Sequence, residues 1–424
     1  MTIDESDRSQ AAAERVYRWR LAGFLAVAAS LNFGDRAAIS AVLASLRIEF
    51  GLSDVDLGLI NSLFLASYAL GSPFAGLLAD RISRPRLVMW SILTWSGVTA
   101  LTGLAGGLPV LLALRFALGI TESLFLPAAV ALIADFHASE TRGRAMSLLT
   151  IGINFGLVIG GTFAGFMAQN LGWRAGFWML GIGGLLLALS GRKFLIPAKG
   201  FHVAPPGVVA AKVTFLTAVK YLARVRTYHV LLLESMLSGF GMWVFFGWLP
   251  LYFREKYSVS LTVAGFAGAF ILQLSVMLGN AAGGWISDRF AGRETHKRLL
   301  LYGVFYLLAA PFLLVFVGSP NPPVLALCMG MFACLRGVGQ SNDNPTQCEI
   351  VPARFRASGV GIMNAVSTAA GSGGVLIAGY LKREIGLDTI FAGISGIFVI
   401  AGMALLLGYK FCIRPDIARA QLAG

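Results

Sequence analysis

The chain of 424 residues is far more apolar than a water-soluble domain of its length. Apolar residues make up 57% of it and charged residues only 13%, whereas charged residues usually make up about 25% of a soluble protein. Its mean hydropathy is +0.75. This composition excludes an ordinary soluble enzyme, a disordered protein and a small disulfide scaffold, and it is typical of a helical membrane protein.

Apolar stretches long enough to cross a bilayer recur along the whole chain. A membrane-spanning helix needs about 20 mainly apolar residues. On this basis we predict twelve transmembrane helices, at 18–45, 54–78, 86–106, 109–134, 145–168, 174–195, 228–252, 262–286, 298–317, 323–349, 357–381 and 388–411. The predicted fold class is all-α integral membrane, with two six-helix bundles.

The longest polar stretch divides these helices into two groups of six. The predicted order is a cytoplasmic tail at 1–17, a bundle at 18–196, a cytoplasmic linker at 197–226, a bundle at 227–411 and a tail at 412–424. The linker either carries one amphipathic helix on the membrane surface, from Lys212 to Arg226, or is simply solvated.

The 34 Lys and Arg residues are distributed unevenly between the two sides of the predicted bundles. The loops on the side away from the termini hold only Arg47, Arg174, Arg254, Lys256, Lys382 and Arg383. Because cytoplasmic loops are enriched in Lys and Arg, we expect both termini in the cytoplasm and the protein in the inner (plasma) membrane. This topology accounts for the net charge of +13, so we expect no nucleic-acid partner.

Three sequence patterns occur once in each half of the chain. GLLADR at 76–81 returns as GWISDR at 284–289, and RGR at 142–144 returns as RFR at 354–356. Arg115 stands seven residues before Glu122, and Arg336 stands seven residues before Asp343. Three matches in the same order predict a duplicated six-helix bundle. In transporters built from such repeats, the substrate binds at the repeat interface near the bilayer midplane.

These patterns resemble those of the major facilitator superfamily. The loop GLLADRISRPR at 76–86, its second copy and the pattern RxxxGxxE in helix four carry the resemblance, which covers the chain from about residue 20. NFGDR at 32–36 resembles the opening of both the organic anion:cation symporters of hexuronates and sugar acids and the spinster-like transporters, and ESLFLPA at 122–128 resembles a motif of the symporters. IADF at 133–136, followed by RGR, resembles spinster-like transporters of lysolipids. The resemblance implies secondary active transport by alternating access.

Charged side chains inside the predicted helices are the main candidates for transport chemistry. A charge at the bilayer centre costs about 2.5–3.5 kcal/mol, so such residues usually face an internal cavity. We predict that Arg36 clamps an anion, because its planar guanidinium suits a carboxylate or phosphate. Asp35 and Glu122 are predicted to carry protons, since burial favours the neutral form of an acid. A purely structural ion-pair network is the alternative.

The remaining site predictions fall into three groups. The residues expected to contact the substrate are Arg36, Arg115, Tyr68, Arg336 and Asn342. Those expected to take part in proton coupling are Asp35, Glu122 and Asp343, with a packing pair between Arg336 and Asp343 as the alternative for helix ten. The residues expected to gate the cytoplasmic side, mainly from the resemblance, are Asp80, Arg81, Arg84, Asp288, Arg289 and Glu234.

Two of the gating residues have a second interpretation. Glu234 lies about two turns into helix seven, where we expect it to pair with Arg224 or Arg226, and its alternative is a role as a site acid. For Arg84, a charge that only sets membrane topology is the alternative.

The sequence argues against an enzyme. It contains no HExxH zinc motif, no nucleophile elbow and no phosphate-binding loop, and its four cysteines lack zinc-site spacing. We therefore expect no metal and no cofactor other than a coupling proton. The predicted function is proton-coupled symport of a small organic anion, such as a sugar acid, by a monomer among membrane lipids. The alternatives are an exporter of lysolipid-like amphiphiles and a membrane sensor that does not transport.

Overall fold

All regular structure in the described part of the chain is helical. The computed structural model describes residues 5–81, 83–137, 139–195, 215–292, 294–318 and 321–423, and these ranges contain helices and turns but no strand. The prediction of an all-α fold is therefore confirmed. The predicted linker at 197–226 lies largely outside the described residues, and the predicted domain boundaries stay predictions.

Fifteen α-helices and one 3₁₀ segment follow one another along the chain. They are α1 (Glu5–Phe50), α2 (Asp54–Arg81), α3 (Arg84–Thr102), α4 (Leu108–Ser123), α5 (Phe125–Phe136), α6 (Ser139–Asn170), α7 (Trp173–Leu195), α8 (Phe215–Leu222), α9 (Arg226–Tyr257), α10 (Leu261–Ala291), α11 (Lys297–Ala309), the 3₁₀ segment (Ala310–Gly318), α12 (Pro322–Gln340), α13 (Asp343–Ile350), α14 (Ala353–Phe411) and α15 (Ile413–Ala423).

Two predicted helices, the fourth and the tenth, are each broken into two in the structure. The fourth forms α4 and α5, and the tenth forms α12 and α13. Pro127 and Pro345 each occupy the third position of the helix that follows the break. A proline has no N–H to donate to the carbonyl four residues earlier. Those carbonyls belong to Ser123 and Ser341, so each helix ends there or next to it and begins again.

The last two predicted helices form the single element α14. Its backbone departs from helical geometry at Gly386, where φ is 73°. Glycine adopts positive φ without a steric penalty, so the chain can change direction at this position. Gly386 lies between the predicted helices at 357–381 and 388–411, and the kink therefore coincides with the predicted loop.

Nine helical stretches of the described residues are long and apolar enough to cross a membrane. One of them, Ser358–Phe411, covers two predicted helices. Neither α1 nor α3 is among the nine, because Asn32, Asp35 and Arg36 interrupt the apolar run of α1 and α3 begins with charged residues. Each of the twelve predicted helices nevertheless falls mostly on helical residues, which is consistent with the predicted count.

The chain forms two compact units. The first contains Met1–Phe50, Leu70–Val209 and Ser260–Phe266, and the second contains Gly51–Ala69, Ala210–Val259 and Ala267–Gly424. Two short segments, at 51–69 and 260–266, are thus grouped differently from the predicted bundles. Within the predicted linker, the described residues form α8, which lies inside the stretch expected to hold an amphipathic helix.

In the first unit, α1 packs against α6 with the two backbones in direct contact. Gly152, Gly156 and Gly160 of α6 lie against the backbone of α1 at Ala26, Ser30 and Gly34, and a Cβ atom at any of these three glycines would overlap that backbone. Small residues at fourfold spacing allow helices to approach this closely. This contact positions the charged residues that follow on α1.

The second unit has an aromatic core and a docked C-terminal helix. The ring of Phe245 stacks on Phe391 at 4.8 Å and lies 5.8 Å from Phe316. Asp416 of α15 is buried and accepts hydrogen bonds from the backbone N–H and the hydroxyl of Thr227, at 2.7 and 2.8 Å. A carboxylate at a helix N-terminus is favourable, so α15 stabilises the first turn of α9.

The duplication is visible in a matched pair of arginine caps. Arg142 donates to the carbonyls of the fifth and eighth preceding residues at 3.2 and 3.3 Å. Arg356 does the same in the second half, at 3.0 and 2.7 Å. Each arginine thereby closes the end of the preceding short helix. These bonds match Arg142 with Arg356, whereas the RGR and RFR patterns align Arg144 with Arg356, so the structural register differs by two residues.

Candidate functional site

The first unit contains a buried ion pair between α1 and α4. The Nε of Arg36 donates to Oε2 of Glu122 at 2.7 Å, and the two residues are 8% and 0% exposed. A second nitrogen of Arg36, Nη2, donates to the amide oxygen of Asn32 at 3.0 Å. The guanidinium lies 4.3 Å from the ring centre of Phe33. Three neighbours therefore fix the plane of this guanidinium.

Asp35 contacts a different helix from its neighbour Arg36. It is buried and accepts a hydrogen bond from the hydroxyl of Thr99, on α3, at 2.9 Å. Successive residues of a helix point about 100° apart, so α1 presents Arg36 towards α4 and Asp35 towards α3. The sequence-based expectation that the two charges need not pair is consistent with this arrangement.

Arg115 is the most isolated charge in the first unit. It is 1% exposed, and none of its three guanidinium nitrogens has a hydrogen-bond partner among the described residues. The ring centre of Phe177 lies 5.7 Å away. One oxygen of Asp35 and one of Glu122 also lack partners in the described part of the chain. A buried polar group without a partner costs about 1–3 kcal/mol, so this cluster has unmet capacity to bind a polar or charged group.

A second buried cluster lies in the second unit. Glu234 of α9 is 2% exposed and accepts a hydrogen bond from the hydroxyl of Tyr306, on α11, at 2.8 Å. This partner differs from the expected Arg224 or Arg226. Arg226 is the first residue of α9, and a rise of 1.5 Å per residue places Glu234 about 12 Å further along the helix axis. The expected pairing is therefore wrong, while a gating role for Glu234 stays a prediction.

Asn342 stabilises the break between α12 and α13 through its side-chain hydrogen bonds. Its amide oxygen accepts from the hydroxyl of Ser287 at 2.6 Å, and its amide nitrogen donates to the carbonyls of Val338 and Gly339 at 3.2 Å. These bonds compensate for part of the helical hydrogen bonding that is lost at the break. Asn342 thus has a structural function, and its contact with the substrate stays a prediction.

The expected packing pair on helix ten is not formed. Asp343 accepts a hydrogen bond from Gln347 at 3.1 Å, and Arg336 makes no ion pair within the described residues. Arg336 is 7% exposed, and its Nε has no hydrogen-bond partner there.

Tyr68, which belongs to the segment 51–69, is buried with its ring centre 6.2 Å from that of Phe64.

The predicted gating residues have local partners where they are described. Arg84 at the start of α3 forms an ion pair with Asp135 of α5. Asp288 accepts from Arg298 at 3.2 Å, and Arg289 lies 5.9 Å from the ring centre of Trp285. The side chains of Asp80 and Arg81 lie outside the described residues. Their gating role, like that of the others, stays a prediction.

A further charged cluster lies where α1 ends and α7 begins. Glu49 accepts one hydrogen bond from the Trp173 indole N–H at 2.6 Å and forms an ion pair with Arg174 at 2.5 Å. Partial burial acts to raise the pKa of Glu49, but these two partners outweigh it and hold the pKa below the usual 4.5. The cluster joins two helices of the first unit at a helix end.

The residues of these networks that were missed in the sequence include Asn32, Asp135, Thr99 and Tyr306. Asn32 stands four residues before Arg36, a spacing that places both on one helix face, and it could have been identified. Asp135 belongs to a quoted motif but carries no sign of its partner. Thr99 and Tyr306 are single hydroxyl-bearing residues in apolar helices, and no local signal links either to a distant acid.

Comparisons with known proteins agree with this architecture. The family model of the Major Facilitator Superfamily matches residues 25–375. The chain is 27% identical to the probable anion transporter 4, chloroplastic, of Oryza sativa subsp. japonica, over 84% of this chain and 62% of that longer protein. It is 26% identical to the probable galactarate/D-glucarate transporter GudP of Bacillus subtilis (strain 168), over 92% of each. It is also 26% identical to the probable L-galactonate transporter of Escherichia coli (strain K12), over 92% of this chain and 88% of that one.

Among solved structures, the fold is similar to an inward-facing crystal structure of a bacterial homologue of the human lysosomal transporter Spinster. The TM-score is 0.77 at 21% identity, over 96% of this chain and 97% of that one. At this identity the similarity shows the fold alone. The family match covers most of the chain and includes both duplicated halves. The chain therefore belongs to the Major Facilitator Superfamily, and it is a multi-pass membrane transporter rather than an enzyme.

Proposed function

We propose that this protein transports a small organic anion, a sugar acid or a related carboxylate, together with a proton. The observation that carries the proposal is the buried cluster of two arginines and two acids in the first unit, in which Arg115 has no hydrogen-bond partner among the described residues. Relatives named as galactarate/D-glucarate and L-galactonate transporters support an anionic substrate.

The charges of the cluster explain how an anion and a proton would be coupled. When Asp35 and Glu122 are both ionised, their charges cancel those of Arg36 and Arg115. Each proton bound by an acid leaves one positive charge uncompensated, and a bound anion restores the balance. Proton binding thus strengthens anion binding, and by thermodynamic reciprocity the anion strengthens proton binding.

The arginines suit a carboxylate better than a neutral substrate. A guanidinium can donate two parallel hydrogen bonds to a carboxylate, and such charge-assisted bonds are about twice as strong as neutral ones. Arg36 is already oriented by Glu122, Asn32 and Phe33, so little conformational freedom is lost on binding. In this proposal Glu122 releases Arg36 when it takes up a proton, and the freed donor passes to the substrate.

The cellular setting completes the proposal. The distribution of Lys and Arg supports a position in the inner (plasma) membrane with both termini in the cytoplasm. The carrier works by alternating access, as a monomer surrounded by lipid, and Asp80 and Asp288 help to close its cytoplasmic side.

Transport by purified protein in lipid vesicles tests the proposal. Glu122→Gln mimics the protonated acid permanently, so we expect exchange of substrate down its own gradient to continue and accumulation driven by a pH gradient to stop. Asp35→Asn should behave in the same way, and the double variant should be no worse than either single one if the two acids form one relay. Glu384→Gln is the matched control, because Glu384 is exposed on α14.

The substrate panel consists of D-glucarate, galactarate, L-galactonate and a lysolipid. Full proton-driven accumulation by Glu122→Gln would contradict the coupling mechanism. If the wild type moved the lysolipid and none of the anions, the amphiphile exporter would replace the proposed function.

A further inference from the structure

The second unit contains a buried acid that the proposed mechanism does not use. We infer that Glu234 is a second proton-binding site, hydrogen-bonded by Tyr306. Its contribution to transport rests on the proposed function, whereas proton binding by Glu234 does not. The inference places one protonatable site in each compact unit.

Glu234 differs from Glu122 in how its charge is compensated. Glu122 has Arg36 within 2.7 Å, whereas Glu234 forms no ion pair within the described residues. Its compensation comes from a hydroxyl group, since Tyr306 donates to it at 2.8 Å, and the ring of Tyr302 packs edge-on against that of Tyr306 with the ring centres 5.0 Å apart. A buried carboxylate without a counter-ion is costly, and neutralisation by a proton removes that cost.

The charged and titratable groups around Glu234 come from three other helices. Tyr302 and Tyr306 lie on α11, Arg336 on α12 and Asp343 on α13. All four lie near enough to Glu234 to affect the stability of its negative charge. Arg336 is beyond ion-pair distance, and its Nε is buried without a hydrogen-bond partner among the described residues. On α9 itself, the nearest such residues towards the helix start are His229, whose Nε2 lies 3.0 Å from the Ala223 carbonyl oxygen, and Tyr228, whose hydroxyl donates to the Gly359 carbonyl at 2.8 Å.

This set of groups favours a proton over other ligands. The fixed positive charge of Arg336 disfavours a metal cation, and the described part of the chain contains no group of three or more His, Cys, Asp and Glu side chains that could hold one. The negative charges of Glu234 and Asp343 disfavour an anion. A proton needs only one acid and neighbours that can hydrogen-bond both of its forms.

Tyr306 can satisfy both forms of the acid without a change of backbone. When Glu234 is ionised, Tyr306 donates to it. When Glu234 is protonated, its O–H can donate to the Tyr306 oxygen, and the Tyr306 hydroxyl can turn towards Ser238 Oγ, which lies 3.4 Å away. A hydroxyl both donates and accepts, so rotation of one hydroxyl accommodates the proton.

Infrared difference spectroscopy of the purified full-length protein, recorded against pH and without substrate, tests proton binding directly. We expect Glu234→Gln to remove one titrating carboxyl band, and Tyr306→Phe to shift that band because it removes a donor to the ionised form. Glu384→Gln should leave the band unchanged. If Glu234→Gln does not fold, Tyr306→Phe alone decides. A carboxyl titration that is identical in the wild type and the variants would overturn the inference.

Proton counting in vesicles tests the role in coupling. We expect Glu234→Gln to move one proton fewer per substrate than the wild type, while Glu384→Gln keeps the wild-type ratio. An unchanged ratio in Glu234→Gln, with a working wild type, would remove Glu234 from the coupling step. A wild type that moves no anion with protons would instead count against the proposed function, and the infrared titration would still decide whether Glu234 binds a proton.

Discussion

Substitution of Arg36 by lysine separates the charge of this residue from its geometry. In the structure, Nε of Arg36 reaches Glu122 at 2.7 Å while Nη2 reaches Asn32 at 3.0 Å. Lysine keeps the positive charge but has a single nitrogen, so it cannot span both partners in this way. It also loses the planar group that lies over Phe33 at 4.3 Å.

The size of the effect follows from the hydrogen bonds that lysine cannot make. A hydrogen bond to a charged group contributes about 1.5–3 kcal/mol. If the substrate carboxylate takes two parallel bonds from arginine and one from lysine, then binding weakens by about 10- to 100-fold, since each 1.4 kcal/mol corresponds to a factor of ten. A neutral substrate would lose much less, so the measurement also tests the class of substrate.

Equilibrium binding of a sugar acid to the purified protein measures this loss. The matched control is Arg174→Lys, because Arg174 also pairs with a carboxylate, that of Glu49 at 2.5 Å, but lies at a helix end away from the buried cluster. We expect the control to bind as the wild type does. An unchanged Kd for Arg36→Lys, in a variant that melts at the wild-type temperature, would refute the assignment of Arg36 as the anion clamp.

Two further predictions concern stability. Gly156→Ala should destabilise the protein by about 1–3 kcal/mol, the usual cost of overpacking, because the added Cβ would overlap the backbone at Ser30. The control is Gly143→Ala, on the same helix but in open space. Equal melting temperatures of the two variants in detergent would contradict the packing argument. Glu49→Gln should lower the melting temperature above pH 4.5, where the wild-type carboxylate is ionised in both the folded and the unfolded protein. The difference in melting temperature between wild type and variant should vanish as the pH falls through the lowered pKa of Glu49. A difference that persisted in acid would show that the ion pair with Arg174 is not its cause.

The all-α membrane fold and most of the charged residues of the candidate site could be predicted from the sequence. A lipid bilayer forces each crossing segment to satisfy its own backbone hydrogen bonds, so a run of about 20 apolar residues is a strong signal for a helix. Charged residues are rare in such runs, and Asp35, Arg36, Arg115 and Glu122 therefore stood out. The helix period also predicted that Asp35 and Arg36 point in different directions, because it is a local property of the chain.

The partners of those charges were decided by the tertiary structure. Arg36 pairs with Glu122, and Glu234 accepts a hydrogen bond from Tyr306 rather than pairing with the expected Arg224 or Arg226. Such contacts depend on which helices are neighbours and how closely they approach, as where Gly156 lets α6 lie against α1. Many separate packing contacts set that arrangement together. A polar residue in an apolar run therefore marks a candidate site in the sequence, but only the packed helices show which group compensates its charge.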